Sequence, residues 1–326
     1  MLRSIARRVG QTVVVLLGVA TLVFFALRLI PGDPARVIAP TSSPEVQAEV
    51  RRSLGLDQPL GVQYLTYLRD LVTGDFGTSY FFDGSTLGLI GDALPYTLYL
   101  VVTALVLGML VSMPLGALAA RHRRAVTDRA VLGFSIVAQS TPNFLIALVG
   151  ITLVASALSL PTVGYVGPVS LVLPSIALAV SLVGLLTQSI RNNLVTTLDG
   201  SLTEALRSRG ASVWQIILRH GARLSAVSVT NLLGVQLGFL LGGAVVIEYI
   251  FNYPGLGLLT LNAVLRRDYP LIQAITITTA LVFVLLNLVI DLSHGYLDPR
   301  MRPTRRRPAR APRATATVAT AGGSAA

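Results

Sequence analysis

The sequence predicts an all-α, polytopic membrane protein with six transmembrane helices, and three observations carry that prediction. Hydrophobic residues make up 53% of the 326 and charged residues 13%, with a mean hydropathy of +0.70, far from the balance of a water-soluble domain. Charge-free runs recur at lengths that cross a hydrocarbon core at about 1.5 Å per residue. Charges collect between those runs. All 26 basic residues are arginine, and cysteine is absent. Disulfides and thiolate metal sites are therefore excluded, as is a Walker-type phosphate loop, which needs its lysine. If nucleotide drives this protein, another chain hydrolyses it.

In chain order, residues 1–8 carry three arginines and precede a first span over 9–30. A removable signal peptide is disfavoured there because no small-residue cleavage site follows. Residues 31–92 are the longest polar interlude and predict a small helical layer outside the membrane. Leu54, Leu56, Leu60, Tyr64, Leu65 and Leu68 fall at packing positions, with breaks at Gly55 and Pro59. The second span runs from Ala93 to Ala120. No charge occurs from Ala130 to Ile190, long enough for two spans, and the turn between them falls at Pro161 to Ser170. Ser140 to Asn143 predicts a kink in the first of these. Spans five and six lie near Ser225 to Ile247 and Tyr269 to Ile290, separated by a turn-rich loop from Glu248 to Asp268. The tail, 303–326, has no periodicity and reads as disordered.

Between spans four and five lies a charged segment, 191–224. A charge at the bilayer centre costs roughly 2.5 to 3.5 kcal/mol, so Glu204, Arg207, Arg209, Arg219 and Arg223 together must lie outside the hydrocarbon. Ser201 with Glu204, and Ser212 with Gln215, read as capping boxes that start two short helices. The first stops at Gly210, where a left-handed residue ends a helix without a Cβ penalty. A helix-turn-helix reader of nucleic acid has the same outline, but apolar spans flank this segment too closely, and no nucleic-acid partner is expected.

Six crossings put both termini on one side. That side carries 19 arginines and the other 7, so the termini and the charged segment are expected to be cytoplasmic. The bilayer itself is then the first partner, and the basic tail is expected to be attracted to anionic lipid.

Candidate chemistry is sparse. The three histidines, His122, His220 and His294, sit at or beyond span ends, which leaves an intramembrane Ser-His-Asp triad without a base, and no metal site is expected. No Asp, Glu, Arg or His falls mid-span, which argues against a proton- or ion-coupled carrier. Gln139, Asn143, Gln188, Asn231, Gln236 and Asn287 are polar positions within spans that either bridge helices or line a solute path. Gly234, Gly238, Gly242 and Gly243 make span five small-faced and suited to close packing. Glu248 and Asp291 are read as headgroup-level carboxylates.

The charged segment resembles the EAA loop of the membrane subunits of ABC importers, with Glu204, Ala205 and Gly210 at that loop's spacing and Arg219-His220 following. Leu206 stands where a second alanine is usual. Arg7-Arg8, Pro31 to Pro34, Leu54 to Asp57 with Pro59 and Tyr64, Gly74 to Gly77, Gly243 to Gly257 and Leu297 to Arg300 are similar to the first, B-type permease of the dipeptide/oligopeptide/nickel branch. The resemblance implies a type I importer permease fold, with 93–302 as its core domain, in a prokaryotic inner membrane. It implies a second, C-type permease, two ABC ATPase chains that carry ATP and Mg, and an extracytoplasmic solute-binding protein as partners. Ser201, Leu202, Glu204, Ala205, Leu206, Arg207, Arg209, Gly210 and His220 would form the ATPase-coupling surface, and Glu248, Pro254, Gly255 and Gly257 a gate or loop on the far side. The chain would be no enzyme. Peptides are the cargo the resemblance implies first, with nickel or another small solute as the alternative.

Overall fold

The computed structural model describes residues 2–30 and 33–297. The tail at 303–326, the motif residues Asp298 to Arg300, and Pro31-Gly32 lie outside the described residues.

Among the described residues the chain is helical, with one isolated antiparallel bridge, Thr78 to Ser85. Helix α1 (Leu2–Leu29) is followed by the polar layer: α2 (Pro34–Ile38), α3 (Pro44–Ser53) and α4 (Leu60–Thr73). Then come α5 (Thr86–Arg121), α6 (Val126–Ser140), α7 (Asn143–Val149), which continues into a wide turn, and the single turn α8 (Ser156–Leu158). After these follow α9 (Val172–Leu198), α10 (Ser201–Ser208), α11 (Val213–Ile216), α12 (Ala222–Ile250), α13 (Leu256–Arg266) and α14 (Tyr269–Leu297). Five helices contain segments long and apolar enough to cross a membrane: Gly10–Leu29, Thr86–Arg121, Pro168–Leu198, Ser228–Ile250 and Tyr269–Ile290. The pair Val126–Ser140 and Asn143–Ala155 makes a sixth span if counted as one.

That pair is broken rather than kinked, bent by 101°. The residue before a proline is pushed out of the helical region, and proline has no N–H to continue the ladder. Thr141 (ψ 122°) and Pro142 (ψ 138°) are both extended, and two successive non-helical residues redirect the axis where one would only have kinked it.

Helix α9 is the centre of the bundle. Leu178, Leu182, Leu186 and Leu194 are buried along it, and α5, α6 and α12 pack on its sides. Close approach depends on small residues on α9 and on the helices facing it. A Cβ on Gly184 would sit 2.6 Å from the Ser135 carbonyl oxygen, and one on Gly116 would sit 2.8 Å from Ile190 Cγ2. In span five, Gly234 faces Asn287 and Ile290, Gly238 faces Phe283, and Gly243 faces Leu178 and Asn143, while Gly242 has open space. Helix α1 stands at the periphery against α14.

The polar layer is tied to span one. Tyr64 and Thr21 share a hydrogen bond of 2.7 Å, and the Phe24 ring meets Tyr64 edge-on and stacks on Tyr67. Arg51 pairs with both Asp33 and Asp57 at 2.7 Å. The break between α3 and α4 falls at Gly55 and Pro59 as expected, with Gly55 at φ +65°. Leu60 and Leu65, however, point away from the chain's own core. Their spacing followed the helix, but the face of α4 that meets span one is the one bearing Gln63, Tyr64 and Tyr67.

Candidate functional site

Two structural devices flank the bundle, one at each end. The first is the charged segment. Gly210 takes φ +83°, the left-handed conformation that only glycine adopts freely, and it ends α10. Ser212 forms the expected capping box with Gln215: its Oγ accepts from the Gln215 N–H at 3.3 Å, while its own N–H donates to Gln215 Oε1 at 2.9 Å. The other box does not form. Gly200 occupies the N-cap position and Ser201 is already helical, so its hydroxyl is one residue too far along to reach back. Thr203 fastens this end instead, its hydroxyl donating to the Thr197 carbonyl at 2.7 Å.

With Thr203 turned inward, the opposite side of α10 is open. Leu202 is 56% exposed, Ala205, Glu204, Arg207 and Arg209 are exposed and Leu206 is half-buried. A single apolar side chain at the surface is ordinary, but here Leu202 and Ala205 form a patch on a helix whose other face is anchored. The anchoring is electrostatic as well. Arg123 pairs with Asp199 at 2.5 Å just before α10, and Arg191 holds Asp128 through two bonds of 2.8 and 3.0 Å. Arg121 lies over the Trp214 ring at 5.0 Å. Ile216 and Ile217 are buried, and α11 passes through one wide turn directly into α12. His220 sits in that turn, and its Nδ1 finds no hydrogen-bond partner among the described residues.

The second device is at the other end of α12. Glu248 is not at headgroup level: it is 0% exposed. Thr97 Oγ1 donates to its Oε1 at 2.6 Å, and the N–H groups of Gly257 and Leu258 donate to its Oε2 at 2.6 and 3.1 Å. Thr97 in turn accepts from the Leu256 N–H at 2.8 Å. The first turn of α13 is thus satisfied by side chains of α12 and α5 rather than by water, which is how a buried helix start must be treated. The loop expected between spans five and six is therefore mostly an 11-residue helix, and the carboxylate is buried because it supplies that helix's missing acceptors. Gly255 and Gly257 are required by close approach: a Cβ on Gly255 would overlap the Glu248 carboxylate, and one on Gly257 would lie 2.5 Å from Val245 Cα. Pro254 precedes them in the turn. Phe251 and Tyr253 fill the space beneath, with Tyr253 edge-on to Tyr96 and Tyr165. Asp268 closes the far end of α13. It is 0% exposed and accepts from the Ser79 hydroxyl and, at 3.1 Å, the Tyr80 N–H, so the polar layer is pinned to the same element.

The polar span residues do not converge. Gln139 bonds its own helix at Ser135 O and lies where α6 meets α9 through Gly184. Asn143 touches Gly243, joining α7 to α12. Asn287 donates to Phe283 O and lies against Gly234, joining α14 to α12. Gln188 and Gln236 are half-buried. Asn231 alone is exposed, on a face of α12 it shares with Val235, Phe239 and Val246. Glu248 and Asp268 were poorly visible in the sequence, since nothing local marks a carboxylate that caps another element.

Among the described residues, an all-helical bundle of five or six spans with a short exposed helix projecting from one end defines a multi-pass membrane protein. The chain belongs to the binding-protein-dependent transport system inner membrane components, whose family model matches residues 112–303, with the corresponding N-terminal model matching 1–101. It is 36% identical over 304 residues to the glutathione transport system permease protein GsiC of Salmonella choleraesuis, covering 93% of this chain and 99% of that one. It is 34% identical over 308 residues to a probable peptide ABC transporter permease protein of Sinorhizobium fredii, covering 91% and 98%. Among solved structures, the MetNI methionine ABC transporter in an inward-facing conformation shares the fold over 66% of this chain and 97% of that one, with a TM-score of 0.53 at 19% identity.

Proposed function

We propose that the chain is one of two permease halves of a peptide importer driven by ATP, which separate ATPase chains bind with Mg and hydrolyse. Permeases named for peptide and glutathione transport, aligned over more than nine-tenths of the chain, support a short peptide as cargo. The observation that carries the mechanism is α10. Its Leu202 and Ala205 patch, rimmed by Glu204, Arg207 and Arg209, is free to seat in a cleft of an ATPase, while Leu206, the Gly210 turn, the Ser212 cap and His220 lead without a flexible joint into α12. A two-state gate moved from 1:99 to 99:1 needs about 5.5 kcal/mol of differential stabilisation, and α10 can pass it on through the capped turn at Gly210 to Ser212 and α11, which is continuous with α12.

In this reading α10 and both termini are cytoplasmic in an inner membrane, and the polar layer and α13 face the solute-binding protein. The second permease, of C-type, closes the path against the open face of α12. Asn231, with the half-buried Gln236 and Gln188, supplies the path's polar groups, while Gln139, Asn143 and Asn287 are engaged between helices, and the Glu248, Pro254, Gly255 and Gly257 turn gates the path. Gly210→Val tests the coupling, because φ +83° is costly for a β-branched residue. In a reconstituted complex, uptake of a labelled dipeptide should fall at least about tenfold, the penalty of roughly 1.4 kcal/mol, while ATP hydrolysis continues; wild-type uptake would count against the proposal.

A further inference from the structure

The polar layer borders a half-open cavity of about 400 Å³ where α1, α4, the 75–80 loop and the start of α14 meet. Arg28 lies in its wall at the end of span one. Its guanidinium covers the Phe24 ring at 3.3 Å, and three of its N–H groups are used: two on Gln63 Oε1, at 2.8 and 3.3 Å, and one on the Phe24 carbonyl at 3.1 Å. Both acceptors are neutral, and no carboxylate lies within ion-pair distance among the described residues. A guanidinium has five N–H donors, so two remain for a ligand. Arg51 and Arg69, in the same layer, are both paired to aspartates.

Around Arg28 stand donors suited to an anionic oxygen. The Tyr67 hydroxyl is buried and has no hydrogen-bond partner among the described residues, a state that costs free energy unless a ligand or water answers it. Tyr80, Tyr269 and Gln273 complete that wall. Asp70 and Asp75 also line the cavity. Asp70 accepts from Arg69 and Asp75 from the Gly77 N–H, each through Oδ1, which leaves each with its other oxygen. Two carboxylates would repel a bare dianion but attract an ammonium.

We propose that this cavity binds a small zwitterion, its anionic oxygens on Arg28 and its ammonium toward Asp70 and Asp75. The volume lies at the small end of ligand pockets. Two sources share this chemistry, a free amino acid or dipeptide and the phosphoethanolamine headgroup of a lipid, since Arg28 ends a span. The site is separate from α10 and from the proposed path, so it stands whether or not the importer reading does.

The test uses the full chain in phosphatidylglycerol nanodiscs and saturation-transfer NMR with four probes: Gly-Gly, N-acetyl-Gly-Gly, Gly-Gly amide and glycerophosphoethanolamine. Saturable binding of Gly-Gly or glycerophosphoethanolamine is expected, whichever binds naming the source. For Gly-Gly, each capped analogue should bind about tenfold more weakly or worse, as losing one charge-assisted contact implies. Arg28→Gln should weaken the zwitterion by about tenfold or more, and Tyr67→Phe, which keeps the ring and the fold, by a few-fold. Absence of saturable binding by either zwitterion, or wild-type affinity in Tyr67→Phe together with Arg28→Gln, would overturn the proposal. A failure of peptide uptake with zwitterion binding intact would instead count against the importer reading alone.

Discussion

Replacing Glu248 by alanine should release the start of α13. The carboxylate accepts three hydrogen bonds, from Thr97 Oγ1 and the N–H groups of Gly257 and Leu258, in a site closed to water. Each buried donor left without an acceptor costs about 1 to 3 kcal/mol. Thr97 can rotate its hydroxyl elsewhere, so the two fixed N–H groups set the loss, at about 3 kcal/mol. Local opening of α13 would then become about a hundredfold more frequent, at 1.4 kcal/mol per decade. Glu248→Gln keeps one acceptor oxygen for the two N–H groups and should cost about 1 kcal/mol. Hydrogen-deuterium exchange across 256–266 reads both variants, with the buried middle of α9 as the internal reference. The expected order is alanine fastest, glutamine intermediate and wild type slowest. Equal protection of 256–266 in wild type and Glu248→Ala would refute the reasoning, because it would mean that α13 is held by its apolar contacts alone.

Two other perturbations bear on the fold. Gly184→Leu should prevent α6 from seating on α9, since even a Cβ would stand 2.6 Å from Ser135 O; overpacking of this kind costs about 1 to 3 kcal/mol or more, and a lowered thermal midpoint in detergent is the check. Burial, and secondarily Asp268, push the Tyr80 phenol up to about 12, and burial with Tyr64 does the same to Tyr67. Both therefore stay protonated in the folded layer after they would ionise unfolded near 10. The unfolded chain then binds fewer protons, so the layer loses stability as pH rises from 10 towards 12. Phenolate absorbance should show these tyrosines titrating late, and Tyr80→Phe should remove part of the late step.

The spans were legible because hydropathy depends only on local composition. Tyr269 to Ile290 was bounded to the residue, and Gly210 announced its left-handed turn by position after an amphipathic helix. What the sequence concealed depended on partners distant in the chain. Glu248 looks like any carboxylate at a span end until Thr97, 151 residues away, and the α13 amides close over it. The Ser201 box failed for a local reason, a one-residue shift of the helix start to follow Gly200. The break at Thr141-Pro142 was underestimated because the sequence does not reveal that both residues take extended angles. Among the polar span residues, type alone could not separate Asn287, which bridges two helices, from Asn231, which faces out.

The central claim is that α10 seats in an ATPase chain, and the chain's lack of cysteine makes it directly testable. A single Leu202→Cys in the assembled complex should form a disulfide or short-linker cross-link to an ATPase chain. A single Val72→Cys, more exposed than Leu202 but on the polar layer, should not. The Leu202 cross-link should also change in yield between ATP-bound and nucleotide-free states. An ATPase cross-link from Val72→Cys, or none from Leu202→Cys in a complex that hydrolyses ATP and takes up peptide, would contradict the account.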